Sequence, residues 1–295
     1  MKNSVFGSYH PVVNFIYFTF ILVFSMVFMN PVCLLSSLFC SFVFYRLIYP
    51  EIPLKKTLGL IFSAVFFLSV TNSLFSHNGV TILFYLPSGN PLTLESLLYG
   101  FFSGVMLSAV ILWFMCLSKV ISSEKIIWLF SRFSPSVSLL ITMILSFIPK
   151  FTGHYKNIRD AELISPGEGK NIKDKIKIAY SCFVSTVSFC LENAIETSDS
   201  MKSRGYGSGK RTFYSNYRFR DRDKICLLFI ITASFFILCG AFSGQFYFRF
   251  YPDIQIKSHE PITVTLYISY FLSGLMPIYL EVKERAKWKH SESKT

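Results

Sequence analysis

The sequence predicts an all-α integral membrane protein with about six transmembrane helices and a cytoplasmic helical insertion between spans four and five. Three observations carry that prediction. Hydrophobic residues make up 52% of the 295, with 33 phenylalanines and a mean hydropathy of +0.47. Charged residues reach only 16%, against about 25% in soluble domains. The cations outnumber the acids, 29 to 17, and cluster beside apolar runs, as the positive-inside bias requires. A formal charge of +12 could otherwise suggest nucleic acid; this distribution argues for lipid bilayer instead and against nucleic acid.

A spanning helix needs about 20 mainly apolar residues. Val12–Met29 is the first such run, Asn30-Pro31 a tight turn, and Val32–Tyr49 the return. So short a turn predicts an antiparallel pair. The first run follows a polar start with one cation, Lys2, has no clear small-residue cleavage site, and is read as a retained helix. Arg46, Lys55 and Lys56 mark the next loop as cytoplasmic. Leu58–Phe75 is the third span. The loop from Ser76 to Ser96 has neither Lys nor Arg and is expected outside; Leu97–Leu117 is the fourth span.

Ile126–Ile148 is long and apolar enough to cross, but it contains Arg132, Pro135 and several serines. Residues 150–224 hold fifteen of the Lys and Arg residues, and a crossing at 126–148 would put them outside. The segment is therefore expected at the interface or beneath the bundle. Ile225–Ser243 and Thr263–Leu280 are the fifth and sixth spans. The tail carries Lys283, Arg285, Lys287, Lys289 and Lys294, so both termini are expected in the cytoplasm. This gives 1–117 as N-terminal membrane helices, 118–224 as interfacial and cytoplasmic helices, and 225–295 as C-terminal membrane helices with a basic tail.

The chemistry of an enzyme is not evident. There is no GxSxG, HExxH or Walker lysine motif, and His10, His77, His154, His259 and His290 are scattered. The seven cysteines form no CxxC and read as small apolar residues, so no catalytic, metal or cofactor site is expected. Within the six spans Arg46 is essentially the only charge, near an end where it can snorkel. A self-sufficient pump would show more polar lining and an internal repeat.

The stretch 191–211, LENAIETSDSMKSRGYGSGKR, is more telling. Across 178–204, Val184, Val187, Leu191, Ala194, Ile195 and Met201 form a stripe near helical spacing, with Glu192, Glu196 and Asp199 on the polar side. Lys202 and Arg204 suit the negative end of the helix dipole, and Gly205 and Gly207 can terminate it. Two roles for Arg204 follow: a grip for a soluble partner, or a cap on its own helix that meets solvent.

The run Glu192-Asn193-Ala194, Glu196, Asp199-Ser200-Met201-Lys202-Ser203-Arg204-Gly205-Tyr206-Gly207 resembles the second coupling motif of the T component of energy-coupling factor (ECF) transporters, which include the CbiQ-type cobalt-uptake proteins. Asn72 to Thr81 and Pro91-Leu92-Thr93 with Glu95 look like the family's external loop. Ile148-Pro149 with Ile158-Arg159-Asp160-Ala161 looks like the start of its first coupling motif, and Pro277 to Trp288 like its end. The resemblance covers roughly 60–285. It implies a helical coupling insertion whose tips seat on two ABC ATPase subunits, while the membrane part holds a small membrane S component that selects a vitamin or a transition-metal ion. It implies that Met201, Lys202, Ser203, Arg204 and Gly205 contact an ATPase, with Arg159, Asp160 and Ala161 as the candidate first coupling segment. A dedicated cobalt or nickel permease of the CbiQ kind is the alternative, and a membrane-embedded enzyme a more distant one. One departure stands out: after Ala161 the chain reads Glu162-Leu163-Ile164-Ser165-Pro166-Gly167-Glu168, with no arginine where the family has one, so that contact is either made differently, through Arg159 or Lys170, or is weaker.

Overall fold

The computed structural model describes residues 5–76, 79–85, 91–131, 134–164, 172–209, 217–250, 255–256 and 261–292. His77, Arg132, Ser165–Lys170, Lys257 and His259 lie outside the described residues. The chain divides into two units. One comprises residues 1–123 and 217–295; the other comprises 124–216.

The first unit is a helical bundle of α1 (Pro11–Val27), α2 (Pro31–Ile48), α3 (Leu54–Phe75), α4 (Leu94–Val120), α8 (Asp221–Phe242) and α9 (Pro261–Glu292). These match the six expected spans. The chain is a multi-pass, all-α membrane protein: seven of its helices, α2, α3, α4, α8, α9 and the two long helices of the second unit, are long and apolar enough to cross a bilayer. At 17 residues α1 is a shorter apolar helix.

The helix starts follow from local chemistry. His10 caps α1, its Nδ1 accepting from Val12 N at 3.3 Å, and Pro11 follows at the position where its missing N–H is harmless. Asn30 repeats the device for α2: its Oδ1 accepts from Val32 N at 3.1 Å, Pro31 follows, and its Nδ2 donates to Tyr267 Oη at 2.8 Å. The tight Asn30-Pro31 turn is thus tied to α9. Arg46 in the last turn of α2 donates to the Ile52 carbonyl, closing the loop to α3.

Helix α4 packs on α1, α2 and α3; α9 packs on α2 and α8; α8 also meets α1. The core between them is aromatic. Phe6 lies edge-on to Tyr17 at 5.4 Å and to Phe44 at 6.3 Å, and Trp113 of α4 lies beside Tyr17, Phe18 and Phe44. The buried Trp113 N–H finds Ser37 Oγ at 3.1 Å, which spares an unpaired donor. Helix α3 sits outside this ring against α4. A Cβ at Gly104 would lie 2.5 Å from Val65 Cα, and one at Gly100 would lie 2.8 Å from Ser69 Cα. The G-x-x-x-G spacing therefore lets two backbones touch, the usual substitute for hydrophobic drive between helices in lipid.

Buried acids close the bundle at the chain ends. Glu281 Oε2 accepts from the backbone N–H groups of Val5 (2.8 Å) and Phe6 (3.3 Å). Its Oε1 accepts from Arg285, whose Nη2 also donates to the Leu47 carbonyl at 2.7 Å. Asp223, also buried, accepts from His10 N and from Arg220 N. Arg222 reaches Ser8 O and Glu284 and lies over the Tyr9 ring. A 3-10 turn at Phe6–Ser8 is thereby strapped onto α8 and α9. The spans were expected to hold little charge beyond Arg46; the helices run further than the apolar windows and carry these acids at their ends.

Two small antiparallel ribbons were not foreseen. β1 (Ile82–Tyr85) pairs with β2 (Pro91–Thr93) in the expected external loop, and β3 (Phe248–Arg249) pairs with β4 (Gln255–Ile256) between α8 and α9.

The second unit holds α5 (Ser123–Ser131), α6 (Pro135–Ile164) and α7 (Ile172–Ser203). The expected single segment 126–148 is instead divided, with α5 ending at Ser131 and α6 opening on Pro135. A proline suits the first helical position but not the interior, so the chain breaks there. Lys125 in α5 is buried, and burial pushes its ammonium down to about 8.

Candidate functional site

Helices α6 and α7 form an antiparallel hairpin. Glu162 of α6 accepts from Ser181 Oγ of α7 at 2.9 Å, while further along the His154 ring stacks on Phe189 at 3.9 Å and 10°, with Phe151 edge-on. The face of α7 turned to α6 is narrow: Ile178 and Cys182 are buried, and Thr186, Phe189 and Asn193 are half-buried. Asn193 and Thr186 return their side-chain donors to backbone carbonyls one turn earlier.

The apolar stripe read from the sequence lies elsewhere. Val184, Val187, Leu191, Ala194 and Ile195 are exposed, and Met201 is half-buried. Ile172, Ile176, Tyr180 and Phe183 extend the exposed face toward the helix start. The side chains turned to α6 are Ile178, Cys182, Thr186, Phe189 and Asn193, with Phe189 stacked on His154, and the bulky stripe lies on the other side of α7.

The C-terminal tip of α7 has a defined geometry. Tyr206 N donates to Met201 O at 3.0 Å and Gly205 N to Lys202 O at 2.9 Å, with Gly205 at φ +77°. This is the Schellman arrangement, in which a left-handed residue folds the chain back over the last carbonyls. Ser203 Oγ donates to Ser200 O, and Ser208 Oγ donates back to Gly205 O. The cap is therefore built by main chain and hydroxyls. Arg204, the residue before the left-handed glycine, is exposed, and its guanidinium makes no ion pair or hydrogen bond with the described residues. Among the described residues its side chain bonds none of the last carbonyls and meets solvent. Lys202 stands 3.9 Å from Asp199, both largely in solvent. Electrostatically the tip combines the carbonyl end of a long helix with two exposed cations.

The candidate first segment is not beside this tip. Arg159, Asp160 and Ala161 are exposed in the last turns of α6. The antiparallel pairing puts the end of α6 beside the start of α7. At 1.5 Å per residue, the stretch from Ser181 to Ser203 separates the two candidate segments by roughly 30 Å. They are two separate places on the hairpin, not one composite site.

Sequence reasoning passed over Glu281, Asp223 and the Gly100/Gly104 pair. An acid closing an apolar run with an arginine four residues on, and G-x-x-x-G inside an apolar helix, were the available signals. Among the described residues no group of three or more His, Cys, Asp or Glu converges. Five of the seven cysteines are buried; Cys239 is exposed on α8.

Fold and site together define a class: a multi-pass helical membrane protein that presents an arginine on a glycine-capped helix tip. No protein-family model matches the chain, and no characterised protein resembles it at a significant level.

Proposed function

We propose that this chain is the non-catalytic transmembrane coupling subunit of an ECF-type ABC importer, resident in a bacterial or archaeal cell membrane with both termini in the cytoplasm. The observation that carries the reading is Arg204, exposed and unpaired among the described residues at the rigid end of α7. An arginine held this way suits bidentate binding to a carboxylate pair on a partner surface, and it stays charged at every physiological pH. The resemblance of residues 192–207 to the second coupling motif names that partner as an ABC ATPase. The roughly 30 Å between the Arg204 tip and the Arg159–Ala161 turn fits one contact for each of two ATPases.

In this reading the α6–α7 hairpin is a lever lying along the cytoplasmic face. ATP-driven closure of the ATPases displaces its ends, and the displacement tilts a small S component that carries a vitamin or a transition-metal ion. This chain needs no cofactor: hydrolysis belongs to the ATPases and selection to the S component. Length and apolarity are common to spanning and interfacial helices, and charge separates them. Lys175, Lys177, Glu192, Glu196 and Asp199 along α7 favour the interface.

The test is co-purification from mild detergent. The wild-type chain is expected to bring down two ABC ATPase subunits, and Arg204→Glu to reduce their recovery by about tenfold or more, the scale of one lost charge-assisted bond pair. Undiminished assembly together with normal uptake in Arg204→Glu would refute the role given to Arg204.

A further inference from the structure

We infer that the β1–β2 hairpin is inserted in the lipid interface at its end of the bundle, rather than standing in water beyond it. This rests on the membrane fold alone and is independent of ATPase coupling. All four side chains of β1 are exposed: Ile82 47%, Leu83 52%, Phe84 58% and Tyr85 65%. The register shifts at Leu83, so that Ile82 pairs with Thr93, Phe84 with Leu92 and Tyr85 with Pro91; Phe84 lies on the face opposite Ile82 and Tyr85, and both faces of β1 are apolar and uncovered. A protein partner lying on the hairpin would cover one face; a surrounding medium covers both. From Ser76 to Leu94 the sequence contains no Asp, Glu, Lys or Arg. An aqueous ribbon with two apolar faces and no charge would be an aggregation site.

The hairpin is also continuous with surface already assigned to lipid. Phe75, at the end of α3, is 82% exposed, and Leu94, Leu97 and Phe101 of α4 are exposed as well. Depth is limited by the backbone. Among the described residues the edge of β1 away from β2 has no strand partner, and unpaired N–H and C=O groups are tolerated at the headgroup level but not in the hydrocarbon centre. Tyr85 fits the same level, where a phenol keeps one end wet.

The hairpin is held at this position by its base. Thr81 N and Oγ1 both donate to Glu95 Oε1, at 3.2 and 2.7 Å, and Leu94 N donates to Thr81 O at 3.0 Å. Ser96 Oγ donates to the Ser76 and Asn72 carbonyls, joining the start of α4 to the end of α3. Glu95 is itself buried, so the fastening is shielded from water.

The test uses the full chain alone in phosphatidylcholine/phosphatidylglycerol nanodiscs. Cysteines are placed singly at Ile82, Leu83, Phe84 and Tyr85 in a Cys190→Ser, Cys239→Ser background and labelled with an environment-sensitive fluorophore. Ser208→Cys, on the exposed α7 tip, is the solvent control. All four sites are expected to emit blue-shifted from the control and to be quenched about twofold more by a nitroxide near the lipid headgroup than by one near the chain end, as insertion of 5–10 Å requires. Control-like emission at all four sites would overturn the proposal. So would protection at Ile82 and Tyr85 but not at Phe84, or the reverse, which would mean that protein covers one face.

Discussion

Glu281 and the Lys202–Asp199 pair show how unequal two ion pairs can be. The second is 75% and 71% exposed and is worth about 0.2–0.5 kcal/mol. Glu281 is 1% exposed and serves two backbone N–H groups and an arginine. Glu281→Gln keeps the shape and removes the charge. It is expected to lower stability by about 2 kcal/mol, read as a fall in melting temperature in detergent, while Lys202→Ala changes it by under about 0.5 kcal/mol. Lys125 gives a pH signature. Its folded value, about 8, lies below its usual 10.5, so the folded state sheds the proton first. Stability should then rise with pH between about 8 and 10.5, and below 8 the full cost of a buried charge remains. Lys125→Met is expected to flatten that rise in melting curves taken at pH 7.5 and 10. At this scale Arg204 was legible, because a cation before glycine at a helix end is a local pattern. The partners of Glu281 were not, since a backbone N–H has no signature in sequence.

At the scale of elements, the six helices of the bundle follow from apolar runs and their caps, with ends within a few residues except where charged turns prolong them. The faces were harder. Periodicity identified the bulky stripe on α7; the structure leaves it exposed and turns Ile178, Cys182, Thr186, Phe189 and Asn193 toward α6. Small residues join α3 to α4 and give a test with an internal control. Gly104→Ala sets a methyl against the Val65 backbone and is expected to destabilise by about 1–3 kcal/mol. Gly59→Ala in α3 meets nothing within 4 Å and is expected to stabilise by about 0.5–1 kcal/mol through helix propensity. Denaturation of the two variants in the same detergent decides; equal effects would mean that α3 and α4 do not touch through the glycine.

For the whole molecule, composition and charge distribution were enough to read a multi-pass helical membrane protein. The second unit, 124–216, joins the apolar segment 126–148 to most of the polar block that the charge count marked out at 150–224. The sidedness read from charge has a direct check. Ser208→Cys, in the Cys190→Ser, Cys239→Ser background, is expected to react with a membrane-impermeant maleimide in inside-out vesicles and not in intact cells. Labelling in intact cells would reverse the orientation.

The strap at Glu281 has a consequence for biogenesis. Val5 and the acid that holds it are 276 residues apart. Synthesis releases the first helix early, and its flanking turn finds its carboxylate only after the last span has emerged. The aromatic cluster around Phe6 therefore stays open until α9 has been made. Closure of the bundle waits for that helix, and a chain stopped short of α9 has no way to finish it.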